Sequence, residues 1–237
     1  GGFAARESHD SCYQCSFKGM PAATPSDDAA VRAALSAARS ATYVTAAGGD
    51  SVRAMQLYGW NARISAAFML PAHFAEVTTR NAAADVLMAV YGPDWPWDTS
   101  FTGSLPSPQR GYRPREDLVM TRGRQQTTGK VIAELKFAFW QTLFTARHDN
   151  RLWTPHIAST FPYAPAMPVA SLRSRVYTDL DAIRLLRNRI ARHEPVITRN
   201  LLDDLNRMID LVELRSQPTA TWVRALEDVT QTIAERP

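Results

Sequence analysis

The sequence predicts an all-α protein. Helically spaced apolar residues recur along the chain, and no segment alternates between apolar and polar residues as a half-buried strand does. Capping residues, glycines and prolines separate the periodic segments. Apolar residues make up 45% of the 237 residues, which is enough for a packed core and too much for a disordered chain. We therefore expect six to eight helices packed as a bundle.

The first residues are expected to lie outside this fold. Residues 1–19 contain both cysteines, Cys12 and Cys15, and differ in character from the rest of the chain, so we interpret them as a tag or upstream segment. A single C-x-x-C pair is a weak signal for a metal or redox site. The remaining chain has no cysteine, which excludes a disulfide framework there and favours a reducing, cytoplasmic location.

An N-terminal helical region is predicted over residues 20–92. Its first helix begins at the capping sequence "SDD" and ends at Gly48. A second helix begins with an aspartate or serine cap at 50–51. Its apolar pattern continues through Pro71, which we expect to kink or break the helix, and closes at Gly92.

The middle of the chain, residues 93–126, is predicted to connect two helical parts. The stretch up to residue 108 is rich in proline, glycine and tryptophan, which is typical of a loop. A short helix is expected near residues 115–125, where this irregular composition ends.

The C-terminal part, residues 127–237, is predicted to form the main bundle. Thr127 or Thr128 caps the most apolar helix of the chain, and a loop with four prolines follows over 150–168. The remaining expected helices are a long one over 169–193 that Pro195 ends, one capped by Thr198, and a last one from residue 219.

One helix end carries an unusual group of polar residues, in "LLRNRIARHEP" at 185–195. Arg187 lies where the apolar face of the preceding helix should continue, and a charge there is costly unless it is paired or faces a partner. His193 lies about 120° around an unbroken helix from Arg187. Pro195 disfavours helical geometry at the residue before it, so we expect the helix to unwind and His193 to turn towards Arg187 or towards a second copy. The apolar face is formed by Val176, Leu180, Ile183 and Ile190.

This block resembles the Abi family of phage-abortive-infection proteins, which belongs to the HEPN superfamily. The signature is an arginine, often followed by a polar residue, with a histidine a few residues later, and Arg187, Asn188 and His193 fit it. Relatives usually carry a histidine where this chain has Arg192. The stretches "VIAELKFAFWQTLF", "RLWTP" and "YGWNARISAAF" are also similar to members of the family.

The resemblance implies a HEPN-type helical bundle with an additional N-terminal helical region. It also implies a metal-independent endoribonuclease without cofactors, acting in phage defence or as a toxin, whose motif pairs with that of a second protomer. Arg187 would stabilise the charge on the phosphate, Asn188 would orient it, and His193 would move protons. Glu194 would hold His193 in place. The expected RNA-binding arginines are Arg184, Arg189, Arg192 and Arg199.

Composition agrees with a phosphate ligand without requiring one. The net charge is +4, and 24 of the 27 basic residues are arginines, whose planar fork binds phosphate bidentately. A GC-rich genome also explains this arginine excess. No apolar run reaches the length of about 18 residues that a membrane span needs, so no membrane partner is expected.

Three functions remain open from the sequence. The first is the homodimeric ribonuclease, with RNA as substrate. The second is a non-catalytic RNA-binding or sensing protein of the same fold, for which an RNA or protein antitoxin is a candidate partner. The third is a helical scaffold in which Arg187 and His193 only neutralise a helix C-terminus.

Overall fold

The structure, a computed structural model, describes residues 28–237. The predicted tag or upstream segment at 1–19, its two cysteines and the cap of the first helix at Ser26 or Asp27 lie outside these residues. The all-α prediction is confirmed, since residues 28–237 contain helices and turns but no strand. The helices are α1 (Asp28–Leu35), α2 (Ala37–Ala46), α3 (Ser51–Ala67), α4 (Met69–Tyr91), α5 (Thr99–Ser104), α6 (Pro114–Arg124), α7 (Thr128–Glu134), α8 (Phe137–Leu143), α9 (Thr154–Thr160), α10 (Val169–Ala191), α11 (Leu201–Arg215), α12 (Gln217–Leu226) and α13 (Val229–Ala234).

The long helices build one hydrophobic core. Helix α4 packs along α11, α3 packs against α2 and α13, and α10 packs against α11 and α8. Core residues come from all three predicted segments, and among them Trp60, Leu118 and Val212 are each at most 1% exposed. The indole Nε1 of Trp60 donates to the carbonyl of Thr232 at 2.6 Å, which fastens α3 to the C-terminal end of the chain. This packing brings α2, α3, α8 and the end of α10 together.

The bundle contains more and shorter helices than the six to eight predicted. The first helix of the sequence prediction breaks at Ser36, which has a positive φ of 69° and separates α1 from α2. The apolar helix after Thr127 breaks at two extended residues, Leu135 and Lys136. The break lets α7 and α8 turn their apolar faces to the core separately, because one straight helix presents a single stripe.

Some predicted boundaries are confirmed and others are wrong. Asp50 caps α3 by accepting from the backbone of residues 52 and 53, and Thr127 caps α7. Helix α3 ends at Ala67, with Phe68 as its C-cap. Pro71 lies instead in the first turn of α4, where its missing N–H is not needed. Asn200, not Thr198, caps α11 with its side-chain oxygen on the N–H of residue 203.

Both predicted loops contain helical turns with buried aromatic residues. The stretch 93–108 includes a 3₁₀ turn at Trp95–Trp97 and helix α5, and Trp95 is fully buried. The stretch 150–168 begins within a π-helical turn at Asp149–Trp153 and includes α9. Burial of Trp95 and Trp153 favours ordered packing of these segments, although their proline content is typical of loops. Over residues 28–237 no helix is both long enough and apolar enough to cross a membrane.

Candidate functional site

Helix α10 ends in a compact turn built around His193. Arg192 is the C-cap, the N–H of His193 donates to the carbonyl of Ile190, and the N–H of Glu194 donates to the carbonyl of Arg189, both at 2.9 Å. These two bonds form a Schellman motif, in which the residue at the position of His193 adopts a left-handed conformation. His193 has φ 55°, in a place where glycine is the usual residue. The helix therefore unwinds before Pro195, as the sequence predicts.

The turn places the three predicted catalytic residues at one cleft. Arg187, Asn188 and His193 all line a cleft of about 580 Å³, together with residues of α3 and the ring of Phe137 at the start of α8. A volume of this size with a largely apolar wall and a few convergent polar groups is typical of a small-molecule or nucleotide site. The left-handed turn brings His193 to the face that Arg187 occupies, although the two residues lie on different faces of a regular helix.

Arg187 is held from two sides. Its guanidinium forms an ion pair with the carboxylate of Glu76 on α4, and it lies over the ring of Phe137 at 5.3 Å from the ring centroid. The side chain of Arg187 is 31% exposed and that of Glu76 is 21% exposed, so the pair is only partly shielded from water. The cation that interrupts the apolar stripe is thus paired within the chain, and Arg187 also lines the cleft.

Asn188 and His193 are both exposed at the cleft, so a ligand can reach them. The backbone around His193 is supported by α2 and α3. The guanidinium of Arg39 on α2 donates to the carbonyl of His193 at 3.1 Å. The side-chain oxygen of the buried Asn61 on α3 accepts from the N–H of Val196 at 2.8 Å. Both bonds hold the segment after α10 in position while the imidazole remains free to contact a ligand.

Two of the predicted RNA-binding arginines remain accessible near the cleft. Arg189 and Arg192 share the carboxylate of Glu194, at 3.5 and 3.8 Å, and Arg192 is 74% exposed. Pairs this long and this exposed contribute little to stability, so both cations are available to phosphate. Because Glu194 contacts these two arginines, its predicted role in orienting His193 stays a prediction.

The other two predicted RNA-binding arginines have partners inside the chain. Arg184 lines the cleft, but its guanidinium bonds to Asp181 at 2.7 Å and to Gln141 at 3.0 Å. Arg199 forms two bonds of 2.7 and 2.5 Å with Asp204, whose side chain is 5% exposed. The paired geometry favours a structural role for Arg199 at the start of α11.

The structure adds residues to the site that the sequence analysis missed. Helical spacing pairs Glu76 with Arg80, whereas the structure pairs it with Arg187, and only the packing of α4 near α10 shows this. Tyr43 and Tyr58, from α2 and α3, pack at 4.9 Å between ring centroids beside His193. Burial raises the pKa of Tyr43 to about 12, so this phenol remains a neutral hydrogen-bonding group at physiological pH.

Most of the aromatic residues around α8 belong to the core. Phe139, Trp140 and Phe144 are buried, and only Phe137 reaches the cleft. The described residues form no group of three His, Cys, Asp or Glu side chains suited to a metal ion. The site thus presents arginine, asparagine, histidine and tyrosine side chains, which can bind an anion and exchange protons.

Comparisons with models of known protein families, with curated proteins and with solved structures find no match for this chain.

Proposed function

We propose that this chain is an endoribonuclease of the HEPN type, similar to the Abi family, that cleaves RNA without a metal ion or cofactor. Phage defence or toxicity to its own host is the proposed setting, in the cytoplasm. The observation that carries the proposal is the common cleft of Arg187, Asn188 and His193. A second observation supports it, because His193 occupies a left-handed position that disfavours a side chain, and such strain is often kept at functional sites.

The proposed reaction is an attack of an RNA 2′-hydroxyl on the adjacent phosphate. The 2′-oxygen forms a bond to phosphorus, the bond from phosphorus to the 5′-oxygen of the next nucleotide breaks, and a 2′,3′-cyclic phosphate remains. The proton of the 2′-hydroxyl leaves to a base, and the departing 5′-oxygen takes up a proton from an acid. Imidazole suits both transfers, and Arg187 stabilises the charge that develops on the phosphate.

The contacts of each residue support the proposed roles. Arg187 lies fixed over Phe137, so its guanidinium is positioned before RNA arrives and loses little freedom on binding. Glu76 shares this cation, and the incoming phosphate competes with that carboxylate for it. Asn188 and His193 are exposed beside it and complete the contacts to the phosphate and the two oxygens.

A homodimer is part of the proposal because one chain contributes one histidine to the cleft, whereas the reaction uses an acid and a base. One face of α10 supports such an interface: Leu185 is 46% exposed and lies one turn before Asn188 and Arg189 on the same side of the helix. A two-fold axis near this face brings the two motifs together.

The test is cleavage of RNA in the presence of EDTA by the full chain. We expect fragments ending in 2′,3′-cyclic phosphates, and no cleavage of the same oligonucleotide carrying 2′-deoxy sugars. His193→Ala should lower the single-turnover rate by about 100- to 10,000-fold, and Arg187→Ala by about 100- to 1,000-fold. His156→Ala, which changes a histidine on α9 away from the cleft, should retain the native rate.

Other outcomes of this test point to other functions. RNA that binds the native chain without being cleaved, and binds Arg187→Ala more weakly, would replace the enzyme with an RNA-binding or sensing protein. The ion pair of Arg187 with Glu76 favours that second candidate, because an arginine that is already neutralised contributes less to a transition state. If the native chain neither binds nor cleaves RNA, the helical scaffold is the function that remains.

A further inference from the structure

The cleft continues beyond the three catalytic residues along one face of α3. Tyr58, Ala62, Ser65 and Ala66 follow one another at helical spacing, and Met69 at the start of α4 extends the row. All five line the cleft opposite the end of α10. The cleft therefore has a polar wall, formed by the arginine, asparagine and histidine side chains, and a mainly apolar wall.

The apolar wall is open to solvent. Ala62 and Ala66 are exposed, and Met69 is 46% exposed. Between the large side chains of Tyr58 and Met69 this row carries only the small residues 62, 65 and 66, and this gap supplies room for a flat group. The volume of about 580 Å³ exceeds what a phosphate alone fills and lies within the range of pockets that enclose whole small molecules.

The aromatic group at the end of this wall is held in place. The ring of Tyr58 packs against that of Tyr43 at an angle of 57°, and Tyr43 is 3% exposed. A ring fixed in this way loses little side-chain freedom when a ligand packs on it. On the other side of the cleft, the guanidinium of Arg187 covers the ring of Phe137. The apolar wall therefore lies next to the arginine that would bind a phosphate.

We propose that the α3 wall of the cleft, from Tyr58 to Met69, is a binding subsite for one unstacked nucleobase of the RNA cleaved at Arg187 and His193. The inference rests on the proposed function, which supplies the phosphate. A nucleotide matches the two walls because it combines an anion with a flat base whose faces stack on apolar and aromatic side chains. A base enters the subsite only after leaving its helical stack, so single-stranded RNA is the substrate class and duplex stems are excluded.

Binding of mononucleotides tests the subsite without requiring cleavage. Calorimetry would compare inorganic phosphate, ribose 5-phosphate and the four nucleoside 3′-monophosphates with the native chain. We expect the nucleotides to bind about fivefold or more tightly than ribose 5-phosphate, since stacking of one base on a protein wall is worth at least about that factor. Equal affinities for ribose 5-phosphate and all four nucleotides would overturn the subsite.

A pair of substitutions tests where the base lies. Ala62→Leu combined with Ala66→Leu fills the gap while keeping a good helix former at two exposed positions, so folding should be retained. The nucleotide affinity should fall to that of ribose 5-phosphate. Ala89→Leu, at an exposed alanine of α4 outside the cleft, is the matched control and should keep the native preference. If the variant with both leucines still binds nucleotides more tightly than ribose 5-phosphate, the proposal is overturned.

Cleavage measured on the same preparations separates the two proposals. The native chain should cut the loop of an RNA hairpin and leave its stem intact. One outcome is that the native chain cleaves no RNA but prefers nucleotides over ribose 5-phosphate, and that the combined Ala62→Leu and Ala66→Leu substitutions abolish this preference. That outcome would support the subsite and reject the ribonuclease. Cleavage of loop and stem at equal rates, with no base preference, would reject the subsite and keep the ribonuclease.

Discussion

Arg187 on α10 pairs with Glu76 on α4, and its guanidinium also covers the ring of Phe137. The charge that interrupts the apolar face of α10 is therefore compensated inside the chain. An arginine that faced only phosphate across a dimer would leave stability unchanged or higher when removed. The ion pair reverses that expectation, because removing the arginine leaves a partly buried carboxylate without a partner.

The first prediction concerns the strength of this ion pair. Arg187→Ala should lower the free energy of unfolding by about 1–2 kcal/mol, between the values for exposed and for fully buried pairs. A double-mutant cycle with Glu76→Gln, measured by urea unfolding, should give a coupling of about 1 kcal/mol. The more exposed pair of Arg224 and Glu213 is the matched control and should show a smaller coupling. Equal couplings for the two pairs would contradict the prediction.

The second prediction separates the stability of the turn at His193 from its chemistry. His193→Gly should raise the melting temperature by up to about 3 °C, since glycine adopts φ 55° without strain, while RNA cleavage is lost. His193→Ala should leave the melting temperature close to the native value, because alanine carries the same positive-φ strain as histidine. Ser36→Gly is the control at the other non-glycine residue with positive φ in the described part of the chain, and it should leave cleavage unchanged. A His193→Gly variant that is less stable and still cleaves RNA would return this histidine to a helix-capping role.

The third prediction distinguishes an arginine that binds RNA from one that holds the fold. Arg192→Ala should reduce the dependence of RNA affinity on salt by about 0.7 log units per decade, the value for one phosphate of a single strand, without changing stability. Arg199→Ala should instead destabilise the protein by about 2–4 kcal/mol, because it leaves Asp204 buried and unpaired. Fluorescence titrations at several salt concentrations and urea unfolding measure the two effects. Identical behaviour of the two variants in both assays would refute the distinction.

The fourth prediction is a loss of stability in acid that depends on His148. This residue is 3% exposed, and burial, together with the neighbouring Arg147, lowers its pKa from 6.5 to about 4. In the unfolded chain the imidazole of His148 is protonated below about pH 6.5, whereas in the folded chain it is protonated only below about pH 4. Stability from this group is therefore complete above pH 6.5 and falls as the pH drops towards 4, by up to roughly 3 kcal/mol.

Urea unfolding at pH 5 and pH 7.5 checks this effect. The difference between the two pH values should be smaller for His148→Gln than for the native chain, because glutamine has no proton to gain. His156→Gln, at a half-buried histidine of α9, should behave as the native chain does. The prediction is wrong if the native chain and His148→Gln lose equal stability between the two pH values.

The fifth prediction concerns the proposed dimer. Leu185→Glu should convert the protein from dimer to monomer in light scattering and reduce cleavage with it, because the substitution places a charge beside the expected two-fold axis. Leu226→Glu, at a leucine of α12 that is 40% exposed, should leave the dimer intact. A native chain that is a monomer at every concentration while cleaving RNA would remove the dimer from the mechanism.

Helix boundaries that depend on neighbouring residues could mostly be predicted from the sequence. Asp50 and Thr127 are recognisable as caps because a capping side chain bonds to a backbone N–H two or three residues later. The end of α10 before Pro195 is recognisable for the same local reason. The breaks at Leu135 and at Ser36 could not be predicted, because they depend on where the core lies relative to each half of the helix.

Local sequence is sufficient for the fold class and for the grouping of Arg187, Asn188 and His193 at one helix end, because periodicity and caps act over a few residues. The groups that complete the site depend on the packing of distant helices. Glu76 reaches Arg187 only because α4 packs beside α10, and the apolar wall at Ala62 exists only because α3 lies opposite the same turn. Contacts between distant segments depend on how all the helices satisfy one core together, and no local pattern encodes them.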